Sequence, residues 1–134
     1  MLNYKKEMNI ESICQEYDIQ NYTINLDGTV DVNGDVNLFN RKLSKIPLKF
    51  GRVTGSFYCH NNQLTTLLGC PVEVGGNFSC SHNQLTTLEG CPREVGGYFN
   101  CNINPLPQEI MDNPKSFLKQ INRDILINKL IDEY

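Results

Sequence analysis

From Val53 onward the chain alternates. Val53, Gly55, Phe57 and Cys59 are apolar or small, and Thr54, Ser56, Tyr58 and His60 between them are polar. That is the period of a strand with one buried face. Asn62, Leu64 and Leu67 follow, then the break Gly69-Cys70-Pro71, where proline cannot donate a backbone hydrogen bond. The whole pattern returns 21 residues later, from Val74 through Phe78, Cys80, Asn83, Leu85 and Leu88 to Gly90-Cys91-Pro92. The same step finds a fainter copy upstream (Val32, Gly34, Val36, Leu38, Leu43, Ile46). A clipped copy lies downstream (Val95, Gly97, Phe99, Cys101, Asn104, Leu106). One such unit cannot bury its apolar edge alone, but stacked units can, with strands roughly 4.8 Å apart. The pattern predicts an α+β protein built on a short β-solenoid of about four coils, with one strand per copy from Val53 to His60 and its equivalents.

The flanks predict end caps. Residues 1–20 read as a short helix with Ile10, Ile13, Cys14 and Tyr17 on one stripe and Asn9 as N-cap. Tyr22–Leu26 and Thr29–Val32 alternate around the turn signal Asp27-Gly28, a hairpin whose second strand runs into the first copy. Where Gln-Leu-Thr-Thr-Leu should recur a third time, Pro105-Leu106-Pro107 stands instead. A helical turn over 108–111 follows. Asn113-Pro114 then starts a longer helix to about Glu133. Phe117, Leu118, Ile121, Ile125, Leu126, Leu130 and Ile131 give it a broad apolar face. That face either closes the far end of the stack or docks a partner. The expected organisation is a single domain over 1–134, with an N-terminal cap (1–31), repeats (32–106) and a C-terminal helical cap (107–134).

The string Phe57-x-Cys59-x-x-Asn62-x-Leu64-x-x-Leu67 resembles a leucine-rich repeat. The short period and Asn-Gln-Leu-Thr-Thr-Leu resemble the compact bacterial class found in secreted enterobacterial effectors. Gly-Cys-Pro with Val-Gly-Gly is similar to small leucine-rich repeat proteins encoded by tailed bacteriophages. The resemblance covers about residues 32–106 and implies a fold rather than an activity. It also implies that Asn62, Asn83 and Asn104 point inward and satisfy backbone groups. The separate ligase domain that some such effectors carry has no counterpart in these 134 residues.

Composition narrows the function classes. Hydrophobic content of 40%, charged content of 20% and a net charge of −3 describe an ordinary globular chain. No basic run exceeds Lys5-Lys6 or Arg41-Lys42, so a nucleic-acid footprint is missing. No apolar run approaches a membrane span, and Met1–Lys6 leads into a mixed polar segment rather than a secretion signal, so the expected compartment is the cytoplasm. Cys59, Cys80 and Cys101 share one register, Cys70 and Cys91 another. Repetition at this step favours reduced core thiols. Pairing of neighbouring coils, or a metal, are the alternatives, and no Cys-x-x-Cys supports the second.

No catalytic constellation can be assembled, and no cofactor or metal is expected. His60 should face outward as a solvated side chain, and His82 falls in the bend beside Asn83. Val74-Gly75-Gly76 and Val95-Gly96-Gly97 recur with the repeat and therefore mark close coil packing rather than a phosphate cradle. What remains is a surface. The outward slots Phe39, Ser56, Tyr58, His60, Asn77, Ser79, Ser81, Tyr98 and Asn100, with Asp35, Asn37 and Asn102 beside them, form short polar ground studded with aromatics. Such mixtures suit protein recognition. A non-catalytic module that binds and blocks a host bacterial protein, such as a defence enzyme, is the expectation that the phage-type resemblance adds. A sponge for a small nucleotide-like or sugar ligand stacked on Tyr58, and an effector-type scaffold, are the alternatives. Self-association through the end caps is also open.

Overall fold

The computed structural model describes residues 9–132, so the first eight residues of the expected N-terminal helix and the last residues of the C-terminal one lie outside the described residues. Helix α1 (Ile10–Glu16) opens the chain, capped by Asn9, whose Oδ1 accepts from the Ser12 amide at 2.8 Å. Nine short strands follow: β1 (Tyr22–Ile24), β2 (Val30–Val32), β3 (Val36–Asn37), β4 (Phe50–Val53), β5 (Phe57–Tyr58), β6 (Glu73–Val74), β7 (Phe78–Ser79), β8 (Glu94–Val95) and β9 (Phe99–Asn100). Helices α2 (Gln108–Asp112) and α3 (Pro114–Asp132) close the order.

Two strands per coil replace the single expected strand. The alternation from Val53 to Cys59 is real, but the chain turns a corner at 54–56, and the two halves join different sheets. The first sheet has the order β1-β2-β4-β6-β8, with Val53 paired to Val74 and Val74 to Val95. The second has the order β3-β5-β7-β9, with Val36, Phe57, Phe78 and Phe99 in one row. All pairs are parallel and 21 residues apart except Val30–Phe50, where the register of β2 on β4 shifts by one, and the hairpin β1–β2, which is antiparallel as its Asp27-Gly28 turn predicts. The corner is nearly bare backbone. Gly55, Gly76 and Gly97 each donate to the coil before, at 3.0, 2.8 and 2.8 Å.

The solenoid makes about three turns, not the expected four, because the fourth copy keeps its corner and second strand but loses its return leg to Pro105-Leu106-Pro107. Inside, Phe57, Cys59, Leu64 and Leu67 and their equivalents Phe78, Cys80, Leu85 and Leu88 are fully buried and form one continuous core with Val53 and Val74. Phe57 stacks on Phe78 at 5.9 Å, with Phe50 and Phe99 edge-on at either end of the row. At the N-terminal end Cys14 and Ile19 join the core, and Arg41 lies over the Tyr17 ring at 4.6 Å. At the other end the expected closure holds only for the first half of α3. Pro114 and Leu118 are buried, while Leu126, Leu130 and Ile131 are exposed. Leu126 and Leu130 lie around the helix from Phe117, Ile121 and Ile125 rather than beside them, and Ile131, closer to the Phe117 side, lies beyond the packed half of the helix.

Candidate binding surface

The outer face of the second sheet is a grid fixed by parallel register. One row holds Asn37, Tyr58, Ser79 and Asn100, since each pairs with the next coil. The next row outward holds Phe39, His60, Ser81 and Asn102, two residues further along the same strands. Coils one and two contribute aromatic rings and coils three and four contribute hydroxyls and amides.

The rings meet. Phe39 and His60 stack in parallel, centroids 5.0 Å apart and planes within 2°. Tyr58 meets His60 edge-on at 5.8 Å. His60 is thus half-buried between two rings rather than solvated, and its Nδ1 is enclosed without a hydrogen-bond partner. Burial disfavours the imidazolium and pushes the His60 pKa down, with repulsion from His82 adding to it. The ring is therefore a neutral, flat platform at pH 7. Phe39 remains 45% exposed, which leaves the cluster open to solvent.

The other predicted positions divide. Ser79 and Ser81 hydroxyls lie 3.3 Å apart, with Ser81 buried and Ser79 half-buried, so they form the floor beside the rings. Asn100 is exposed, its Oδ1 accepting from the Asn102 amide at 3.0 Å. Ser56 and Asn77 sit at the corner and are engaged. Ser56 Oγ accepts the Asn77 amide at 2.9 Å, and Asn77 Oδ1 accepts the Tyr98 amide at 2.8 Å. Asp35 does the same for the Ser56 amide at 2.7 Å. These three act first as struts between coils. Tyr98 is 80% exposed at the corner of coil four, apart from the other rings.

Chemically the face can stack, accept and donate. His60 does not bond Ser79 or Ser81, so no serine is activated by it. Among the described residues no three His, Cys, Asp or Glu side chains converge on a common point, and no helix is long and apolar enough to cross a membrane. The cysteines face inward. All six are free, and burial pushes Cys70 and Cys80 well above the ordinary thiol range, Cys91 up to about 12 and Cys101 up to about 11. Such thiols are poor nucleophiles.

A second concavity escaped the sequence. A cleft of about 430 Å³ runs between α3 and the return leg of coil three, lined by Leu88, Cys91 and Pro92 on one side and Phe117, Ile121 and Ile125 on the other. The signal for it was present. Once Pro105-Leu106-Pro107 removes the fourth return leg, the third has no coil stacked upon it. Comparison with protein-family models, with curated proteins and with solved structures finds no match to this chain.

Proposed function

We propose that the chain is a non-catalytic binding module that recognises a partner protein with the outer face of its second sheet. The observation that carries this is the Phe39–His60–Tyr58 cluster, three rings packed together on a flat face and still open to solvent. Rigid aromatic area with polar tips costs little side-chain entropy to bury and recurs at interface centres. Asn37, Asn100 and Asn102 around it are exposed and supply the polar rim. The face carries a single carboxylate, Asp35, so recognition rests on shape and stacking more than on charge.

The finer identity follows the resemblance in the repeats. A small leucine-rich repeat protein of phage type, acting in the host cytoplasm to block a bacterial protein such as a defence enzyme, is the reading that the Asn-Gln-Leu-Thr-Thr-Leu and Gly-Cys-Pro strings support. The test uses the tagged chain on a bacterial lysate, with each captured protein then titrated against variants. Tyr58→Ala is expected to weaken the true partner at least about tenfold while leaving the melting curve nearly unchanged. Lys115→Ala, exposed at the start of α3, is expected to do neither. Unchanged affinity of the Tyr58 variant moves the site off the sheet.

A further inference from the structure

The first sheet ends on β8, and no repeat lies beyond it. At the two preceding boundaries of this sheet, three carbonyls of one coil accept amides of the next. Gly51 accepts from Val72, Val53 from Gly75 and Gly55 from Gly76, at 2.8, 2.9 and 2.8 Å. Val72, Val74 and Gly76 accept in the same way from Arg93, Gly96 and Gly97. On coil four the equivalent carbonyls are those of Arg93, Val95 and Gly97. The first is taken by α3, whose Asn122 Nδ2 donates to it at 3.0 Å. Among the described residues nothing donates to the other two. The alternation of a parallel ladder aims the Val95 N–H away from coil three as well. Helix α3 packs on β9 and leaves β8 beside it open. Glu94 and Gly96 are exposed, and Val95 is half-buried where Val53 and Val74 are 1% and 2% exposed.

We propose that this edge is a second binding site, separate from the aromatic face, which takes an extended segment of another protein as an added strand parallel to β8. The chemistry of the occupant is legible because the stack shows twice what lies on such an edge. The residue over Gly96 is a glycine. A Cβ on Gly75 would fall on the Thr54 carbonyl oxygen and one on Gly96 on that of Gly75, so the next strand meets the same limit at the Gly96 carbonyl. The residue after it is small, because a Cβ on Gly76 or Gly97 comes to 3.0 Å from a carbonyl carbon of the coil before. The residue ahead of both is aliphatic. It continues the row Val53, Val74 and Val95 and covers the last of these.

Charge sets the remaining position. Arg52, Glu73 and Glu94 are neighbours in register, one coil apart. Arg52 Nε lies 3.4 Å from Glu73 Oε2, so the one cation of the row is engaged by the middle carboxylate. Glu94 stands beside a like charge, exposed and without a cation among the described residues. A lysine or arginine at this register of the added strand stands one strand away, roughly 4.8 Å in backbone spacing, as Arg52 does from Glu73. The segment that fits therefore reads cation, aliphatic, glycine, small residue. Its backbone donates to the Val95 and Gly97 carbonyls and accepts from the Val95 amide. The chain's own Glu73–Gly76 and Glu94–Gly97 carry the glycines with the opposite charge, which disfavours pairing the β8 edges of two copies. The other edge, β1, is an antiparallel hairpin strand, and no repeat shows what would lie on it.

The probe is a peptide copying Pro71–Ser79 with Glu73→Lys, so that the lysine, Val74, Gly75 and Gly76 fall over Glu94, Val95, Gly96 and Gly97. It is titrated to about 5 mM into the isotope-labelled full chain and followed by NMR, which spans the range of a weak site. The amides of Val95, Gly96 and Gly97 are expected to shift together, and that of Val95 to exchange with solvent at least about tenfold more slowly at saturation. The same peptide with Gly75→Val is expected to bind at least about tenfold more weakly. The peptide that keeps Glu73 is expected to bind at least about fivefold more weakly, by a margin that shrinks in high salt. A Glu94→Lys chain, changed at an exposed position and checked by its melting midpoint, is expected to reverse the order of the Glu73→Lys and Glu73 peptides. Tyr58→Ala, which tests the aromatic face, is expected to leave peptide binding unchanged. No shift at Val95–Gly97 overturns the proposal, as does equal binding of the Gly75→Val peptide or a Glu94→Lys chain that keeps the original order. Shifts centred on Tyr22–Ile24, or on Phe39, Tyr58 and His60, overturn it too, because they seat the peptide on the hairpin edge or the aromatic face.

Discussion

Asn83 makes four hydrogen bonds with one amide. Its Oδ1 accepts from the Leu64 amide at 3.0 Å, and its Nδ2 donates to the carbonyls of Cys59 and Cys80 at 3.0 Å and of Ser81 at 3.2 Å. Asn62 and Asn104 repeat the arrangement one coil before and after, bonding the carbonyls of Leu38 and Cys80 respectively. Cutting Asn83 to alanine strands an amide and carbonyls in the core, a loss of roughly 2–3 kcal/mol. Asn77, an outward slot by alternation and so a position expected to tolerate change, holds the Tyr98 amide across the corner. Asn77→Ala should cost about 1 kcal/mol, between neutral and the Asn83 value, and urea melts of the two variants rank them. The inward amides were legible because a 21-residue step repeats them. The corner strut was not, since alternation looks the same along a straight strand and around a bend. His60 gives the pH dependence at this scale. Its folded pKa lies below the ordinary 6.5, so between those two values the unfolded chain binds more protons. Its contribution is therefore present above pH 6.5 and lost as pH falls through the folded value. His60→Gln is expected to flatten the stability slope as pH falls below 6.5, measured as melting midpoints across that range. An unchanged slope would place the titration elsewhere.

Within one coil the decisive feature is the corner that joins two strands. Gly75 and Gly76 follow β6 and let the backbone of coil three lie directly on that of coil two. A Cβ on Gly75 would be driven onto the Thr54 carbonyl oxygen, a backbone atom that cannot step aside. Gly96 repeats this on the Gly75 carbonyl oxygen. Gly75→Ala is therefore expected to cost roughly 1–3 kcal/mol by forcing two coils apart, although the alanine would be exposed. Denaturant melts check it, with Thr86→Ala, exposed on the return leg, as the near-neutral comparison. The glycine pairs announced close packing in the sequence. They did not announce that the strand breaks there, because two short strands in different sheets and one longer strand share the same period of two. Helix α3 was over-read for a related reason. Its aliphatic residues are dense enough to suggest one wide face, and only the turn angle separates Ile121 and Ile125, which pack, from Leu126 and Leu130, which do not.

Across the molecule, stability should run along one dimension, coil to coil, because each coil touches only its neighbours. The second sheet makes this measurable residue by residue. The amides of Val36, Leu38 and Asn40 donate to coil two, those of Phe57, Cys59 and Asn61 to coil three, and those of Phe78, Cys80 and His82 to coil four. Coil four has no successor, and its strand β9 is held from the far side by α3, in which Leu118 is the one deeply buried side chain after Pro114. Leu118→Ala should remove about 2–4 kcal/mol from that end cap. If the stack frays from its end, the amides of Phe78, Cys80 and His82 lose exchange protection first, those of Phe57, Cys59 and Asn61 next, and those of Val36, Leu38 and Asn40 least. Hydrogen exchange read by NMR on this variant gives the order directly. A uniform drop at all nine amides would instead mean that about three turns, sharing one row of phenylalanines from Phe50 to Phe99, unfold as a single unit. The graded outcome is expected because every hydrogen bond of this ladder crosses just one coil boundary, so loss of the cap weakens the boundaries in sequence rather than together.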